Sequence, residues 1–327
     1  MNRRHIPQPV LDAAHARSAA RVAGDWTEAD RLRAEIETSG WKIVDRGTDF
    51  ALSPMAPPDE LDGERARYGS SASVPSRFDE APIGVATVVL IAMDRPDDLA
   101  RALAGLRANA PVGTSIVIVA DGPSEDQAAA LDAMSRDDAT EVVWTSARLG
   151  RAAATNIGIR RAAGPVVVLM DTNLEPTGDI ITPLVGVLGD PGVAIAGAWG
   201  VVSDDLRAFE DAPSGDVDAI LGDCQAFRRA DAIERGPLDE HFRSPGSLAV
   251  WWSLVLRDSG EGETARRAVS LDGLPLIRHG PAHGAEDAGH GAEDAGPLGP
   301  EHARQVKRDR YRIIDRFGSR RDLLARG

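Results

Sequence analysis

Three aspartates each follow a run of apolar residues that has the length of a buried strand. Asp94 follows "VVLIAM", Asp121 follows "SIVIVA" and Asp171 follows "PVVVLM". In an open parallel sheet the carboxyl ends of the strands meet at one edge, and ligands bind there. We therefore expect the three carboxylates to line one cleft. Each aspartate could instead cap the helix that follows it, and this alternative is strongest for Asp94.

The segment "MDTNLEP", residues 170–176, places a carboxylate and an amide one residue apart. Divalent cations such as Mg²⁺ or Mn²⁺ prefer hard oxygen ligands and net negative charge. Asp171 supplies both, whereas Asn173 supplies an oxygen without a charge. The segment predicts a metal site that is weaker than one built from two carboxylates. Because the chain has no GxGxxG or GxxxxGK[ST] motif, phosphates bound here must be neutralised by a metal or by basic side chains.

The elements that would position these residues alternate between strands and helices. From Ala86 onward, nearly continuous apolar strands are separated by amphipathic helices, a pattern typical of a parallel sheet covered on both faces. The pattern predicts a doubly wound α/β domain over residues 82–280.

The flanking segments predict smaller elements. Residues 1–53 predict a helical hairpin with an extended tail, and residues 54–81, rich in Pro, Ser and Gly, predict a linker. Residues 281–300 contain the tandem repeat "HGAEDAG" and predict a mobile loop, or alternatively an acidic lid that carries histidines. Residues 301–327 predict a basic helical tail packed by Tyr311, Ile313, Ile314 and Phe317.

Composition excludes some classes of function. The chain has 327 residues, with 37 basic and 51 acidic residues and a formal charge of −14. Such a charge disfavours binding to nucleic acid and to anionic membrane surfaces. The single cysteine, Cys224, allows no internal disulfide, and no apolar run is long enough for a membrane span. We expect a soluble cytoplasmic protein.

Several segments together resemble the family-2 glycosyltransferases, which have the GT-A fold. They are "AMDRPDDL", "VADGPSED", "RLGRAAATNIGIRRAAG", "MDTNLEP" and "GDCQAFRRADAIERGPLDEHF", spread over about 200 residues from Ala86 to roughly Gly280. The resemblance implies a GT-A type, mostly parallel sheet and a nucleotide-sugar donor. The acceptor, whether a glycan, a lipid or a small molecule, stays open.

The resemblance also implies roles for individual residues. Asp121 would contact the base of the donor, with Asp94 and Asn156 beside it, and Asp171 and Asn173 would hold Mg²⁺ or Mn²⁺ on the diphosphate. His279 would complete the metal site, with His283 as a second candidate. From the residues themselves, Trp251 and Trp252 could offer a stacking surface to an acceptor sugar, although neighbours on a helix face different ways and at least one should be core.

One departure from the family concerns the general base. Inverting members carry an acid near the start of the helix that follows the "GPLDEHF" type of segment, and this acid deprotonates the acceptor hydroxyl. Here no Asp or Glu occurs between Glu240 and Asp258. Asp239 and Glu240 are weak substitutes. The catalytic residue is therefore unassigned, and the loss of a positioned base would cost roughly 10²- to 10⁴-fold in rate.

The N-terminal segment "ARVAGDWTEADRLRAEIETSGWKIVDRGTDF" resembles the small helical appendage at the C-terminus of cysteinyl-tRNA synthetases. The likeness covers about 45 residues and includes none of the catalytic motifs of a synthetase. Three functions follow from the sequence. The first is an inverting glycosyltransferase, the second is a degenerate transferase that only binds a nucleotide-sugar or glycan, and the third is a tRNA-associated protein, which the net charge disfavours.

Overall fold

The computed structural model describes residues 6–325 apart from residues 48, 135–138, 261–262 and 281–299. The chain divides into two compact units, Met1–Pro57 and Pro58–Gly327. The HGAEDAG repeat and His283 lie outside the described residues. No helix among the described residues has both the length and the apolar character needed to span a membrane.

The first unit consists of two helices followed by a β-hairpin. The elements are α1 (Gln8–Ala23), α2 (Trp26–Thr38), β1 (Trp41–Arg46) and β2 (Asp49–Pro54), and β1 pairs with β2 in antiparallel register. Their shared core contains Val10, Ala13, Ala14, Leu32, Ile36, Trp41 and Ile43. The two predicted helices are present, and the extended tail of the predicted hairpin is itself a pair of strands.

A cluster of one carboxylate and two guanidinium groups joins α1 to β1. The side chain of Arg17 donates to both oxygens of Asp45, at 2.6 and 3.2 Å, and Arg21 lies 2.5 Å from the same carboxylate. Hydrogen bonding from Arg17 lowers the pKa of Asp45 from its ordinary value of 3.8, and burial opposes this only in part.

The second unit is built on a mostly parallel sheet, in which the described residues form ten strands. The strand order is β13-β16-β10-β15-β8-β5-β6-β7-β4-β3. The strands are β3 (Glu60–Asp62), β4 (Arg65–Tyr68), β5 (Ala86–Ala92), β6 (Thr114–Ala120), β7 (Thr140–Thr145), β8 (Val166–Met170), β10 (Val193–Gly197), β13 (Gly215–Val217), β15 (Cys224–Arg228) and β16 (Arg267–Ser270). β15 runs antiparallel between β8 and β10, while β4 to β8 are parallel to one another.

Helices cover the sheet, and apolar side chains fill both sides of it. The helices are α3 (Pro96–Asn109), α4 (Glu125–Ala133), α5 (Arg151–Arg161), α6 (Ile181–Leu188), α7 (Arg229–Arg235), α8 (Pro245–Arg257), α9 (Pro300–Phe317) and a 3₁₀ turn at Arg321–Leu323. Two smaller sheets also form, one from β9 (Leu174–Pro176) with β17 (Leu276–Arg278), the other from β11 (Gly200–Val202), β12 (Glu210–Ala212) and β14 (Ala219–Ile220). This is the expected α/β architecture.

Two glycines allow α5 and the turn after it to lie directly on β5. A Cβ atom at Gly158 would stand 2.2 Å from a methyl group of Val89, and one at Gly164 would stand 2.5 Å from the carbonyl carbon of Ala86. Any side chain at either position would push the helix off the sheet. The glycines of "NIGIRRAAG" therefore hold α5 at the depth that places its first residue, Arg151, at the carboxyl edge.

The predicted linker at 54–81 is wrong for most of its length. The part after Pro57 belongs to the second unit, where β4 pairs with β7 and β3 with β4. The buried guanidinium of Arg229 donates to the carbonyl oxygens of Arg77 and Glu80. Backbone hydrogen bonds and isolated apolar contacts fix the segment to the domain: Val74 is buried in the core, and Tyr68 and Phe78 pack against it. These contacts do not require a periodic apolar face.

The C-terminal segment forms α9, and its packing differs from the expected one. Ile313 and Phe317 on α9 are buried, whereas Tyr311 is 60% exposed. α9 packs on α8, and Asp309 accepts hydrogen bonds from the backbone N–H groups of Arg243 and Ser244 at the start of that helix. The tail is therefore part of the second unit.

Two truncations test whether the second unit begins at Pro58. We expect residues 58–327 to unfold cooperatively in chemical denaturation, because Pro58 begins the second unit. Residues 81–327 should be less stable by about 3 kcal/mol or more, because buried Arg229 loses both carbonyl acceptors and the sheet loses two strands. Equal stability of the two fragments would restore the linker interpretation.

A substitution in the first unit tests the Arg17–Asp45 contact. Asp45→Asn should lower the free energy of unfolding of this unit by about 1 kcal/mol at neutral pH, a value reduced for the partial exposure of Asp45. Because the folded-state pKa is lowered, the stabilisation is present above the unfolded-state pKa and is lost as the pH falls through the folded-state value. The wild-type and variant curves should converge in acid, whereas a constant difference would contradict the assignment.

Candidate active site

The three strand-end aspartates lie at the same edge of the sheet. Asp94 follows β5, Asp121 follows β6 and Asp171 follows β8, and these three strands are parallel. β6 and β8 are not direct neighbours, because β5 lies between them. The aspartates nevertheless have different surroundings, and only Asp171 meets a second acid.

Asp171 and Asp223 lie side by side, just beyond the adjoining ends of two antiparallel strands. Cys224, the first residue of β15, pairs with Met170, the last residue of β8, and the backbone N–H of Asp171 donates to the carbonyl oxygen of Asp223 over 2.9 Å. The two residues are 5% and 1% exposed. Burial and repulsion by the Asp171 carboxylate raise the pKa of Asp223 to about 7. The pair therefore strongly favours a nearby positive charge.

Two arginines from different elements supply positive charge at this pair. Arg151, the first residue of α5, forms an ion pair with Asp171, and Nη2 of Arg278, at the end of β17, lies 2.8 Å from Oδ2 of Asp223. The guanidinium of Arg278 also stacks over the ring of Trp199, 3.8 Å from its centroid. The charges of the two acids and two arginines cancel.

The small sheet of β9 and β17 brings the 278–279 segment to the end of β8. The backbone N–H of His279 donates to the carbonyl oxygen of Asn173 over 2.8 Å, and Nε2 of His279 lies 2.7 Å from Oε2 of Glu175. His279 therefore lies beside the segment that the sequence predicted, but its ring is paired with a carboxylate. Among the described residues, no three His, Cys, Asp or Glu side chains converge as a ready-made metal site.

Asp121 holds a loop in place. It is fully buried, and its two oxygens accept hydrogen bonds from the backbone N–H groups of Leu149 (2.7 Å) and Gly150 (3.0 Å). Burial raises the pKa of Asp121, and these hydrogen bonds oppose the rise. The carboxylate fixes the turn into α5, and thereby Arg151. Contact with a nucleotide base stays a proposal.

Asp94 does not cap α3. The residue before that helix is Arg95, which makes no side-chain cap, and Asp94 instead accepts a hydrogen bond from Arg148 over 2.6 Å. The Arg148 guanidinium also donates to the carbonyl oxygen of Gly122. This pair is half exposed and lies at the edge of the cleft.

Asn156 connects α5 to the loop between α7 and α8, residues 236–244, which we call the acceptor-side loop, rather than pointing at the strand ends. Its buried amide donates to the carbonyl oxygen of Leu238 (3.0 Å) and to Oε1 of Glu240 (2.9 Å), and it accepts from the N–H of Leu238. Ser71 donates to the same Glu240 oxygen. Glu240 is exposed and is held at one oxygen.

Asp239 is more fully engaged than its neighbour Glu240. Its carboxylate accepts from the backbone N–H of His241 and contacts the ring of that residue at 2.7 Å, and Arg312 lies 3.5 Å away. Burial favours a higher pKa, but the hydrogen bonds from His241 and the nearby charges outweigh it and the pKa of Asp239 is lowered. Asp239 is a turn-forming residue.

The predicted acceptor surface at Trp251 and Trp252 is wrong for both residues. They are 6% and 0% exposed, and they pack against Phe242 and Phe227 respectively. Trp252 lines a cavity of about 30 Å³ beneath the end of β8, which has space for roughly a single water and not for a sugar ring. Both rings are buried because α7, α9 and the sheet enclose α8 on every side.

Sequence reasoning missed Asp223, Arg151, Arg278 and Glu175. An acid that follows a strand lies at the carboxyl edge of the sheet only when that strand is one of the parallel ones. An antiparallel strand begins at the edge where its parallel neighbours end, so an acid just before "CQAFRR" was the available signal for Asp223. The arginines carried no local signal, because Arg278 reaches the site through the pairing of β17 with β9, and Arg151 through the position of α5 on the sheet.

Comparison with known proteins identifies the domain. Residues 87–230 match the family model described as glycosyl transferase family 2. The fold is similar to that of GalNAc-T7, solved with UDP, GalNAc and Mn²⁺, with a TM-score of 0.54 and 14% identity over 71% of this chain and 48% of that chain. The family match covers these residues, and the fold is the GT-A fold, as the resemblance implied.

Two further similarities are more limited. The mannosyltransferase PcManGT from Pyrobaculum calidifontis, solved with GDP-Man and Mn²⁺, has a TM-score of 0.48 and 16% identity over 76% of this chain and 78% of that chain. A cysteine–tRNA ligase from Opitutus terrae is 41% identical over 49 residues, which are 15% of this chain and 11% of the ligase. The chain thus spans about half the length of GalNAc-T7 and about a tenth of the ligase.

A substitution tests the role of Asp121. Asp121→Asn should lower the free energy of unfolding by about 1–3 kcal/mol, because the new amide group cannot accept from both Leu149 and Gly150. The matched control Asp94→Asn removes a half-exposed acid and should change it by about 0.5 kcal/mol or less. Chemical denaturation measures the free energy of unfolding of both variants. An equal loss of stability in the two would show that Asp121 does not hold the loop.

Proposed function

We propose that this protein transfers a sugar from a nucleotide-diphosphate donor to an acceptor hydroxyl, with inversion at the anomeric carbon. The observation that carries the proposal is the position of Asp171, Arg151 and Arg278 at the carboxyl edge of a family-2 domain. In such sheets this edge binds ligands. GalNAc-T7, which has a similar fold, was solved with UDP and Mn²⁺.

The residues at the strand end fit a divalent cation. Asp171 offers a carboxylate and Asn173 an amide, both are buried, and the carboxyl group of Asp223 lies beside that of Asp171. His279 is the proposed additional ligand, on condition that its ring leaves Glu175. A bound Mg²⁺ or Mn²⁺ would supply positive charge to the diphosphate leaving group.

The chain's own residues then have separate tasks in the transfer. The bond between the anomeric carbon and the phosphate oxygen breaks, and the acceptor oxygen forms a new bond from the opposite face. Arg151 and Arg278 stabilise the negative charge that develops on the diphosphate, since both guanidinium groups lie at the strand end. The proton of the acceptor hydroxyl must pass to a base.

Glu240 is the proposed base. It is exposed, and Asn156 and Ser71 hold one of its oxygens, which leaves the carboxylate positioned on the acceptor-side loop. Asp239 is less suited, because its carboxylate is engaged by His241 and its pKa is lowered.

A second function is favoured by a specific observation. The start of α8, where inverting members carry their acid, has Ser244 and Pro245 instead, and buried Asp309 is engaged by backbone N–H groups there. With no acid in the usual place, the domain would bind a nucleotide-sugar or a glycan without turnover. This binding module is the alternative to the enzyme.

Donor hydrolysis separates the two functions. In the presence of Mn²⁺ and a panel of UDP- and GDP-sugars, water replaces the acceptor and the enzyme should release nucleoside diphosphate. Glu240→Gln should slow this release by about 10²-fold, because the amide cannot take a proton. Its carbonyl oxygen still accepts from Asn156, so the loop should stay in place.

The matched control is Asp239→Asn, which should change the rate by about threefold or less. Calorimetric titration with UDP and GDP gives the second readout, because neither change should alter nucleotide affinity. Nucleotide binding without release from any donor would establish the binding module. Absence of both binding and release would remove the nucleotide-sugar assignment altogether.

A further inference from the structure

Asn173 is uncharged, but a second carboxylate, that of Asp223, lies at the same strand end. Asp223 lies outside the segment that the family resemblance assigns to the metal, and it immediately precedes β15 rather than following β8. Its side chain is 1% exposed and faces the carboxylate of Asp171. Two carboxylates on adjacent strands thus occupy the place where the sequence predicted one.

The backbone fixes this arrangement. The β15–β8 ladder runs from Arg228 opposite Val166 to Cys224 opposite Met170, and the Asp171 N–H to Asp223 carbonyl hydrogen bond extends it by one more residue. The positions of both carboxylates are therefore set by paired strands in the centre of the sheet, which provide a more precise scaffold for a ligand than a loop does.

The carboxylate oxygens of Asp223 lack hydrogen-bond donors. Within the part of the chain that the structure describes, both oxygens are buried and neither accepts a hydrogen bond from a donor; Oδ2 lies 2.8 Å from Arg278 as an ion pair, and the Asp171 carboxylate is the neighbouring acid. A buried carboxylate oxygen without a partner is costly, and proteins retain one where a ligand completes it. A hard divalent cation between the two carboxylates would satisfy it.

We propose that Asp223 is the second carboxylate ligand of the divalent cation, so that Asp171 and Asp223 hold the metal from adjacent strands. This inference rests on the proposed function of the same site. The two carboxylates match the charge of Mg²⁺ or Mn²⁺, and Asn173 adds a neutral oxygen. Metal binding should consequently be tighter than the "MDTN" segment alone predicts.

The same assignment gives the arginines a second role. Arg151 and Arg278 now neutralise Asp171 and Asp223, respectively. A cation held by the carboxylates replaces this neutralisation, and the guanidinium groups then become available to the donor diphosphate. Mn²⁺ and a nucleoside diphosphate should therefore bind cooperatively.

Titration of the full-length protein with Mn²⁺ alone tests the assignment, with free Mn²⁺ measured by electron paramagnetic resonance. Asp223→Asn should raise the dissociation constant for Mn²⁺ by about tenfold or more, and Asp171→Asn should do the same. Asp190→Asn is the matched control, since it removes one exposed acid at the opposite edge of the sheet and should leave Mn²⁺ affinity unchanged.

Thermal unfolding provides a check on folding. Without metal, Asp223→Asn should melt within a few degrees of the wild type, because the amide has nearly the same shape and the lost repulsion from Asp171 offsets the lost attraction to Arg278. Mn²⁺ should raise the melting temperature of the wild type and of Asp190→Asn, and this rise should be lost in Asp223→Asn.

Each remaining outcome is decisive. If Asp223→Asn binds Mn²⁺ like the wild type while Asp171→Asn does not, the inference is overturned and Asn173 is the partner ligand. If the wild type binds UDP or GDP but no Mn²⁺, the inference is overturned and the arginines alone neutralise the diphosphate. If Mn²⁺ binding depends on Asp223 but no nucleotide binds, the metal site stands and the proposed function fails.

Discussion

The arrangement of the site depends on two buried carboxylates meeting where β15 pairs with β8. Acids this close and this deeply buried repel one another, so folding requires that positive charge reach them. Arg151 lies beside the two acids because Gly158 and Gly164 let α5 lie directly on β5. Arg278 lies beside them because β17 pairs with β9. The helix, the small sheet and the central strands are thus coupled through one charge cluster.

Several polar residues near the cleft stabilise the scaffold instead of facing a ligand. Asp121 fixes the turn before α5, Asn156 joins α5 to the acceptor-side loop, and Asp309 engages the start of α8. All three are buried, and all bind backbone groups that no regular strand or helix satisfies. A motif residue can therefore be required for the shape of a site without touching substrate, and mutational loss of activity at these positions would not by itself identify a ligand contact.

The segment after Pro57 shows how composition can mislead. Its Pro, Ser and Gly content is typical of a linker, yet it adds β3 and β4 to the sheet, and Ser71 reaches Glu240. β3 at the edge of the sheet is exposed and β4 beside it is half-buried, so neither strand needs a periodic apolar pattern. Arg229, far away in sequence, binds the backbone of this segment, and a contact between such distant residues has no signature in a local window.

Local sequence alone determined the α/β order of the elements, the helices of the first unit and the placement of Asp94, Asp121 and Asp171 at strand ends, because apolar periodicity and the direction of parallel strands act over a few residues. Only the tertiary structure decided that Asp223 joins Asp171, that Arg151 and Arg278 neutralise them, and that Trp251 and Trp252 are buried. These outcomes depend on which strands pair and on what covers α8. Such contacts form between residues far apart in the chain, and local patterns do not encode them.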